Sequence, residues 1–474
     1  MSQVVDKAEK AAILAGTDLA IKFMRKNPDR DLTKIADPVL KIASATHMFP
    51  QDKLDAIKKG ISNPNNPYLQ MFKSMLTEID PHIIKTFAGS MGFEAAIKGT
   101  KEVRANRIKY NCNIPWLILM DPTSACNLHC TGCWAAEYGH KLNLTLEDMQ
   151  SVINQGRALG THVYMFTGGE PLVRKKDIIT LCERNQDCIF LSFTNATLID
   201  QAFCDEVRRV GNIAFALSVE GTEESNDARR GDGAYQKTMR AMDLLRENHC
   251  LFGMSVCYTK ANVDMVTSDE FLDKMVSKGV RYGLYFNYMP VGKDASPDLI
   301  PTPAQRKYMY YWMKRVRNGS TGKPMFIFDF QDDGPYVGGC IAGGRNYFHI
   351  NSKGDMEPCV FIHYSDSNIH NTSILDALRN PLFMAYRKGQ PFNDNHLRPC
   401  PMLENPEKLR EIVKETGAKS TDLMAAEDVD SLCGKCDEFA LEWQPVADEI
   451  WASNPHPKIH TQYYRDGGQL KVSQ

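Results

Sequence analysis

The sequence of 474 residues has no long apolar run, no excess of basic charge and no pattern typical of a secretory signal. Its longest apolar stretches, such as Ala11–Ala15, are far too short to cross a bilayer, which excludes a membrane-spanning protein. Charged residues at Asp6, Glu9 and Asp18 interrupt the N-terminal segment, where a signal peptide would be basic and then apolar. The net charge of −2 provides no positive field to attract a nucleic acid. We therefore expect a cytoplasmic protein without a nucleic-acid partner.

Cysteine, by contrast, is plentiful, with 14 residues. In a chain without an export signal, thiols more often bind metals than form disulfides. Cys126, Cys130 and Cys133 follow the spacing C-x3-C-x2-C and supply three thiolates within eight residues. A cubane iron–sulfur cluster normally takes four thiolates, so three would leave one iron open to a small chelating molecule. A zinc site is the alternative, although the C-x2-C pair within this triplet has no second pair nearby.

The apolar pattern divides the chain into a helical part and an alternating part. Apolar residues recur at helical spacing from about residue 5 to 105, which predicts a helical N-terminal region over residues 1–108. From residue 109 to 325, six apolar runs typical of buried strands alternate with helical patterns. The runs cover residues 115–120, 162–166, 188–193, 213–219, 251–258 and 282–289. This alternation predicts an α/β fold, a partial (βα)6 TIM-like barrel with right-handed crossovers.

Each polar or glycine-rich motif of this segment falls where a predicted strand ends. Cys126 follows the first strand, and residues 167–171, with the sequence TGGEP, follow the second. Residues 194–197 end the third strand, and residues 218–221 end the fourth. In α/β barrels the chemistry gathers at the carboxyl ends of the strands, so we expect these motifs to form one site.

The cysteine triplet and the glycine motif together resemble the radical S-adenosylmethionine (radical SAM) superfamily. Gly168, Gly169 and Glu170, followed by Pro171, match the GGEP motif of that family and lie one βα unit after the triplet. Two glycines let a backbone approach a ligand closely, and their backbone groups and Glu170 offer acceptors for an amino group. The resemblance implies a [4Fe-4S] cluster with an open iron site that binds S-adenosyl-L-methionine.

The resemblance also implies a sequence of chemical events. A one-electron donor such as flavodoxin or ferredoxin reduces the cluster, and S-adenosylmethionine is cleaved to methionine and a 5′-deoxyadenosyl radical. That radical abstracts hydrogen from an unactivated C–H bond, while the protein orients the reactants and excludes water. An enzyme of this kind is expected to be oxygen-sensitive and to work under anaerobic conditions.

Residues that end the third and fourth strands extend the resemblance. Thr194 and Asn195 match a TNG-like motif in which Ala196 replaces the glycine. Ser218 and Glu220 match a strand end of the form S-x-D-G, with glutamate in place of the aspartate. The resemblance implies that these side chains lie near S-adenosylmethionine.

Two ligand contacts have alternative candidates. Arg229 lies in a stretch similar to D-x-x-R-G, whose arginine pairs with the methionine carboxylate in relatives, and Arg230 is the alternative. Relatives usually carry an aromatic residue just before the third cysteine, near the adenine. Gly132 stands at that position here, so we expect the adenine contact to come from Trp134 or from elsewhere.

The C-terminal part, residues 326–474, carries a second group of thiols. Its cysteines are Cys340, Cys359, Cys400, Cys433 and Cys436. The spacing from Cys340 to Cys359 resembles the opening of SPASM and twitch extensions, which hold auxiliary iron–sulfur clusters. The resemblance implies one auxiliary [4Fe-4S] cluster in a SPASM/twitch-like extension, with Cys400 competing against the other four cysteines as a ligand. A structural zinc site is the alternative.

The remaining thiols and a group of aspartates have simpler interpretations. Six cysteines are expected to be buried and inert, namely Cys112, Cys182, Cys188, Cys204, Cys250 and Cys257. Cys257 lies in a predicted barrel strand, so a position facing the substrate is its alternative. Asp329, Asp332 and Asp333 are expected in a solvated loop, with a proton acceptor among them as the alternative.

The substrate is the least constrained inference. Radical modification of a peptide or protein, or formation of a C–C or C–S bond, is favoured because peptide modification is the commonest activity of SPASM relatives. The alternative is modification or coupling of lipid hydrocarbon chains, with peripheral membrane contact. Apolar N-terminal residues such as Phe23, Met24, Phe49, Phe72 and Phe87 could form the contact surface, although we expect a helical cap on the barrel. A non-enzymatic metal-binding scaffold is a distant alternative.

Overall fold

A computed structural model describes residues 2–28, 31, 51–135, 142–292, 295–422 and 426–454. Its centre is a nine-stranded sheet with the strand order β7-β6-β5-β4-β3-β2-β1-β8-β9. The strands, including a separate β10–β11 pair, are β1 Leu117–Met120, β2 Val163–Phe166, β3 Ile189–Thr194, β4 Ile213–Ser218, β5 Phe252–Tyr258, β6 Tyr282–Asn287, β7 Phe326–Asp329, β8 Tyr347–Ile350, β9 Met356–Glu357, β10 Tyr364–Ser365 and β11 Lys419–Ser420.

Helices cover one face of this sheet, and further helices lie in the N-terminal and C-terminal parts of the chain. In the N-terminal half they are α1 Ser2–Lys26, α2 Gln51–Ser62, α3 Pro67–Glu78, α4 Pro81–Phe87, a π-helix Ala88–Gly99, α5 Thr100–Tyr110, α6 Leu146–Ala158, a 3-10 helix Pro171–Arg174, α7 Lys175–Arg184, α8 Gln201–Val210, α9 Glu223–Arg230 and α10 Ala234–Glu247. In the C-terminal half they are α11 Val263–Val266, α12 Asp269–Lys278, a 3-10 helix Pro297–Leu299, α13 Pro303–Arg317, α14 Gly334–Val337, α15 Ile374–Ala377, α16 Pro381–Gly389, α17 Pro406–Thr416, α18 Val429–Gly434 and α19 Asp437–Ser453.

The six predicted strands coincide with β1 to β6 to within two residues at each end. Neighbouring strands from β1 to β7 pair in parallel, and the helices between them provide the crossovers that parallel pairing requires. The predicted α/β barrel architecture is therefore confirmed. Beyond residue 325 the sheet continues into β7, which pairs with β6, and into β8, which pairs in parallel with β1.

The two faces of the sheet pack against different parts of the molecule. On the outer face, Ile118, Tyr164 and Phe190 join the hydrophobic core that the crossover helices form. On the inner face, Leu119 shares a second core with residues of the C-terminal extension. Alternation of side chains along each strand produces this division, because successive residues point to opposite faces. The extension therefore covers the inner face of the barrel.

The N-terminal helices close the amino end of the barrel. Ile79 and Ile83, which flank the start of α4, pack against Ala214 and Leu251 where β4 and β5 begin. Met24 is fully buried in a core between the N-terminal helices. These contacts agree with the expected helical cap; Phe49 lies outside the described residues. Within the part of the chain that the structure describes, no helix is both long and apolar enough to span a bilayer.

Candidate functional site

The cysteine triplet lies on the loop that leaves the carboxyl end of β1. All three thiols are partly exposed, and the N–H of Leu128 donates to Sγ of Cys126 at 3.5 Å. Burial raises the pKa of Cys126 to about 11 and also raises the pKa of Cys133. Thiols of this kind ionise readily only when a metal or another positive group stabilises the thiolate. A short loop that presents three partly accessible thiols fits a cluster with one iron left open.

The glycine loop after β2 lies directly beneath the loop that carries the triplet. A Cβ atom at Gly169 would lie 2.2 Å from the carbonyl oxygen of Ala125, and one at Gly168 would lie 2.7 Å from that of Thr123. The N–H groups of Gly169 and Glu170 donate to the carbonyls of Thr123 and Ala125 at 3.0 and 2.8 Å. The glycines therefore allow the backbone to approach the cysteine loop, as well as any ligand above it.

Glu170 is fully buried and its carboxylate is held by the protein itself. One oxygen accepts from Oγ1 of Thr194 at 2.7 Å and from the N–H of Leu172 at 3.0 Å. The other oxygen accepts from the N–H of Asn195 at 2.7 Å. The predicted contact of this carboxylate with an amino group would thus have to compete with three internal hydrogen bonds. Glu170 and Thr194 also join the ends of β2 and β3, and the contact of Glu170 with an amino group stays a prediction.

Asn195 reaches the cysteine loop through a residue that the sequence analysis did not single out. Its Nδ2 donates to Oδ1 of Asn127, which lies between the first two cysteines, at 2.8 Å. Asn127 in turn donates to Oγ1 of Thr197 at 2.7 Å. Ala196, between Asn195 and Thr197 in the sequence, has a φ of 66°. This left-handed conformation favours glycine, which is the residue that relatives carry there. The TNG-like motif therefore positions the cysteine loop.

Glu220 and the two adjacent arginines form a charged group beside the triplet. Glu220 is wholly buried, and its Oε1 accepts from Arg229 at 2.7 Å and from Nε of Arg230 at 3.1 Å. Arg230 also reaches to 4.0 Å from Sγ of Cys130. Ser218, at the end of β4, is partly exposed beside this group. Two guanidinium groups at this position supply positive charge next to the thiolates that would hold a cluster.

The structure explains why glycine stands before the third cysteine. Gly132 has a φ of 62°, and a Cβ atom there would lie 2.7 Å from the ring of Tyr288. Tyr288, in the loop after β6, thus places an aromatic ring where relatives carry one within the motif. Trp134 points elsewhere and packs against His349 and Phe361, with ring centroids 5.9 and 6.2 Å apart. The adenine contact of Trp134 stays a prediction, and Tyr288 is a second candidate for it.

Four of the five C-terminal cysteines lie around one buried tyrosine, Tyr386. Cys359, Cys433 and Cys436 are buried, whereas Cys340 and Cys400 are partly exposed. The hydroxyl of Tyr386 is fully buried, and negative charge on four of these thiols contributes to raising its pKa. The four are Cys340, Cys359, Cys400 and Cys433. Cys400 therefore lies within this group, and the expectation that it competes with the other ligands stays open.

Two of the aspartates expected in a solvated loop are buried, so that expectation is wrong. Asp329 is fully buried, and its Oδ1 accepts from two backbone N–H groups at 2.9 Å. Asp332 pairs with the buried guanidinium of Arg306 at 3.0 Å, and Arg306 also donates to Glu404 at 3.2 Å. Glu404 accepts from the N–H of Cys400 at 2.8 Å. Arg306 of α13 thus joins Asp332 to Glu404 of the C-terminal extension, and this contact between the two parts of the chain buries the aspartates.

A second buried network was not predicted. His349 on β8 donates from Nδ1 to Glu357 at 2.7 Å and from Nε2 to Asp121 at 2.9 Å. Although burial opposes it, these two carboxylates raise the pKa of His349 to about 10. Asp121 ends β1 and lies against Gly168, while Glu357 precedes Cys359 by two residues. The network therefore links the glycine loop to the C-terminal thiols.

The six cysteines expected to be buried fall into two groups, five that are fully buried and Cys257, which is partly exposed. Five of them are fully buried, at Cys112, Cys182, Cys188, Cys204 and Cys250. Cys257 is partly exposed and belongs to the core on the inner face of the sheet. Negative charge on Cys257 contributes to raising the pKa of Arg229, so the thiol lies near the triplet.

Comparison with known proteins identifies the family. Residues 120–277, which include the triplet and the glycine loop, match the family model described as the Radical SAM superfamily. These residues form a radical SAM domain. The chain is 24% identical over 306 residues to the AdoMet-dependent heme synthase of Methanosarcina barkeri, and the alignment covers 57% of this chain and 86% of the relative. The chain is also 26% identical to the mycofactocin maturase MftC of Mycolicibacterium smegmatis, and this alignment covers 52% of the chain and 64% of the relative.

The fold of this radical SAM enzyme is similar to that of SuiB from Streptococcus suis, solved with bound S-adenosylmethionine. The TM-score is 0.54 at 17% identity, with 70% of this chain and 87% of SuiB covered. Membership implies a [4Fe-4S] cluster and S-adenosylmethionine as cofactors. The residues that the sequence predicted for them lie together at the carboxyl ends of β1 to β4.

Proposed function

We propose that this radical SAM enzyme removes a hydrogen atom from a C–H bond of a peptide or protein substrate. The observation that carries the proposal is the juxtaposition of the three partly exposed thiols with the glycine loop and the Arg229–Arg230–Glu220 group. Mycofactocin maturase, among the relatives, and SuiB, solved with the precursor peptide SuiA, support a peptide substrate. The heme synthases among the relatives show that other substrates occur in the superfamily.

The residues of the chain have separable roles in this proposal. Cys126, Cys130 and Cys133 would hold the cluster, which together with S-adenosylmethionine supplies the radical that takes hydrogen from the substrate. Arg229 would bind the methionine carboxylate, because a guanidinium matches a carboxylate in shape and charge. Glu220 holds both arginines in place, at 2.7 Å in the case of Arg229. These residues thereby fix the orientation of S-adenosylmethionine before the reaction.

The C-terminal thiols would hold an auxiliary cluster. Burial raises the pKa of Cys400, and negative charge on Cys340 and Cys359 raises it further, as expected for thiols that lie near one another. Cys436 lies one helical turn after Cys433, and its N–H donates to the carbonyl of Cys433. The surface residue Arg410 also lies near Cys433. We therefore assign Cys340, Cys359, Cys400 and one of the C-x2-C pair as ligands. The auxiliary cluster would accept the electron that the product radical loses.

Two accessory features complete the proposal. A flavodoxin or ferredoxin would donate the first electron, since the chain itself offers no flavin or nicotinamide motif. We place the enzyme in the cytoplasm, where reduced thiols and oxygen-sensitive clusters persist.

Anaerobic reconstitution tests the proposal. Protein loaded with iron and sulfide, reduced by dithionite and supplied with S-adenosylmethionine should form 5′-deoxyadenosine. Cys130→Ala should abolish that product, whereas Cys112→Ala, which removes a fully buried thiol outside the site, should leave it unchanged. An unaltered yield from Cys130→Ala, or no 5′-deoxyadenosine from the intact protein, would contradict the proposed function.

A further inference from the structure

The inner face of the barrel carries a continuous aromatic surface. We define the aromatic wall by residues in contact on this face, namely Trp134, Phe193, Phe286, Phe330, Tyr347 and Phe361. The rings of Phe286 and Phe193 are 5.8 Å apart between centroids, and those of Phe286 and Phe330 are 5.6 Å apart. Strands β3 and β6 contribute two of these rings, and the C-terminal extension contributes three. The wall therefore forms where the barrel and the extension meet.

The wall connects the two groups of cysteines. At one end Trp134 follows Cys133 directly in the sequence and contacts Phe361. At the other end Tyr347 contacts Phe330, and its hydroxyl lies 2.8 Å from Sγ of Cys359. A group bound along the wall would thus lie between the site that generates the radical and the site that would accept an electron.

Several wall residues are partly exposed although they face the interior. Phe193, Phe286 and Phe330 are neither on the outer surface nor fully buried, and Met165 and Cys257 beside them share this property. Apolar side chains left accessible inside a protein are most stable when an apolar group covers them. The wall therefore has the properties of a binding surface as well as of a core.

The rings at the centre of the wall carry no hydrogen-bonding atoms. The side chains of Phe193, Phe286 and Phe330 are hydrocarbon throughout. A polar or charged group placed against them would lose its water without gaining a hydrogen bond from them. The chemistry of these rings therefore favours a substrate group without polar atoms.

The barrel is closed at the amino ends of its strands. Ile79 and Ile83 of the N-terminal cap pack against Ala214 and Leu251, at the amino ends of β4 and β5. A substrate group cannot pass through the barrel along this axis and must enter from the carboxyl ends of the strands. The accessible length of the wall is thus bounded by the cap below and by the cysteine loop above.

We propose that the substrate group bound along the aromatic wall, and attacked there, is an apolar alkyl group. This inference rests on the radical chemistry of the proposed function and specifies the group that is attacked. The alkyl group belongs either to an aliphatic side chain of the proposed peptide substrate or to an acyl chain, which would replace the peptide as substrate, and both would be recognised by the same contacts. Burial of its methylene groups against rings would supply the binding energy.

Equilibrium dialysis of defined probes tests this inference without turnover. The full chain, reconstituted anaerobically and supplied with S-adenosylmethionine, is incubated with labelled N-acetyl-leucinamide, decanoate or N-acetyl-glutaminamide. We expect at least one apolar probe to bind at least tenfold more tightly than the glutamine probe. Preference for the leucine probe would identify a side chain as the source, and preference for decanoate an acyl chain. Equal or tighter binding of the glutamine probe would overturn the inference.

Variants connect the binding to the wall. Phe330→Ala should weaken apolar probes at least tenfold, whereas Phe328→Ala, on the same strand end but 45% exposed and outside the wall, should not. If the alanine variant does not fold, Phe330→Tyr is used in its place. This variant keeps the ring and adds a hydroxyl, so it should also weaken binding of the apolar probes. Unchanged binding in a folded Phe330 variant would overturn the inference. Because dialysis does not depend on 5′-deoxyadenosine, failure of the proposed function would be seen separately.

Discussion

The contact between the glycine loop and the cysteine loop makes Gly169→Ala the most informative substitution. The new Cβ atom would lie 2.2 Å from the carbonyl oxygen of Ala125, whereas real Cβ contacts essentially never fall below 3.0 Å. The neighbouring atom is backbone, so no side chain can rotate away. Ala125 immediately precedes Cys126. The cysteine loop must therefore move away from the glycine loop.

That movement would break the hydrogen bonds that join the loops. The Glu170 N–H donates to Ala125 at 2.8 Å and the Gly169 N–H donates to Thr123 at 3.0 Å. A typical protein hydrogen bond contributes about 1 kcal/mol, and overpacking in a tight site costs about 1–3 kcal/mol. We expect Gly169→Ala to lower the free energy of unfolding by about 3 kcal/mol and to weaken binding of S-adenosylmethionine.

The assay compares Gly169→Ala with Gly92→Ala, a glycine whose added Cβ would meet nothing within 4 Å. Denaturant unfolding of the cluster-free proteins gives stability, and the change that S-adenosylmethionine induces in the electron paramagnetic resonance spectrum of the reduced cluster gives binding. Gly92→Ala should be at least as stable as the parent, because it lies within the helix Ala88–Gly99, and it should match the parent in the spectral response. A Gly169→Ala protein with parental stability and a parental spectral response would refute the reasoning.

Three further predictions concern other parts of the site. Glu220→Gln leaves two arginines without their buried counter-charge and should lower the free energy of unfolding by about 3 kcal/mol, measured with denaturant. The control Glu224→Gln, at an exposed position, should leave that free energy unchanged. Equal stability of the two variants would contradict the assigned pairing. Cys400→Ser should lower bound iron from about eight to about four per chain by elemental analysis, and retention of about eight would remove Cys400 from the ligands. The pKa of His349 is raised from 6.5 to about 10, so its stabilisation is complete below about pH 6.5 and is lost as pH rises toward 10. Unfolding free energies of the parent should therefore fall over that range more steeply than those of His349→Gln, and parallel curves would contradict this.

Local patterns were sufficient to predict the barrel. Runs of apolar residues separated by helical patterns located β1 to β6. Strand β7 was missed because its four residues include the exposed Phe328. Strand β8 was missed because only the four-residue helix α14 separates it from β7, so no regular strand–helix alternation marks it. The sequence offers no sign that β8 pairs with β1 rather than with β7.

The candidate site was predictable where ligands are close in sequence and less so where they meet through the fold. The triplet and the glycine motif have fixed spacing, so their place above the strand ends followed from the barrel. Tyr288 and Asn127 could not be found in this way, because each acts through a neighbour on another loop. The same reason explains the error on Asp329 and Asp332, whose burial depends on the C-terminal extension.

The most direct test of the account is electron paramagnetic resonance of the anaerobically reconstituted and reduced protein in which the C-terminal cysteines are replaced, so that only the triplet binds metal. The account predicts about four irons per chain and a spectrum that changes when S-adenosylmethionine is added, because one iron is open to it. Zinc bound at Cys126, Cys130 and Cys133, or an iron signal that S-adenosylmethionine leaves unchanged, would contradict the account.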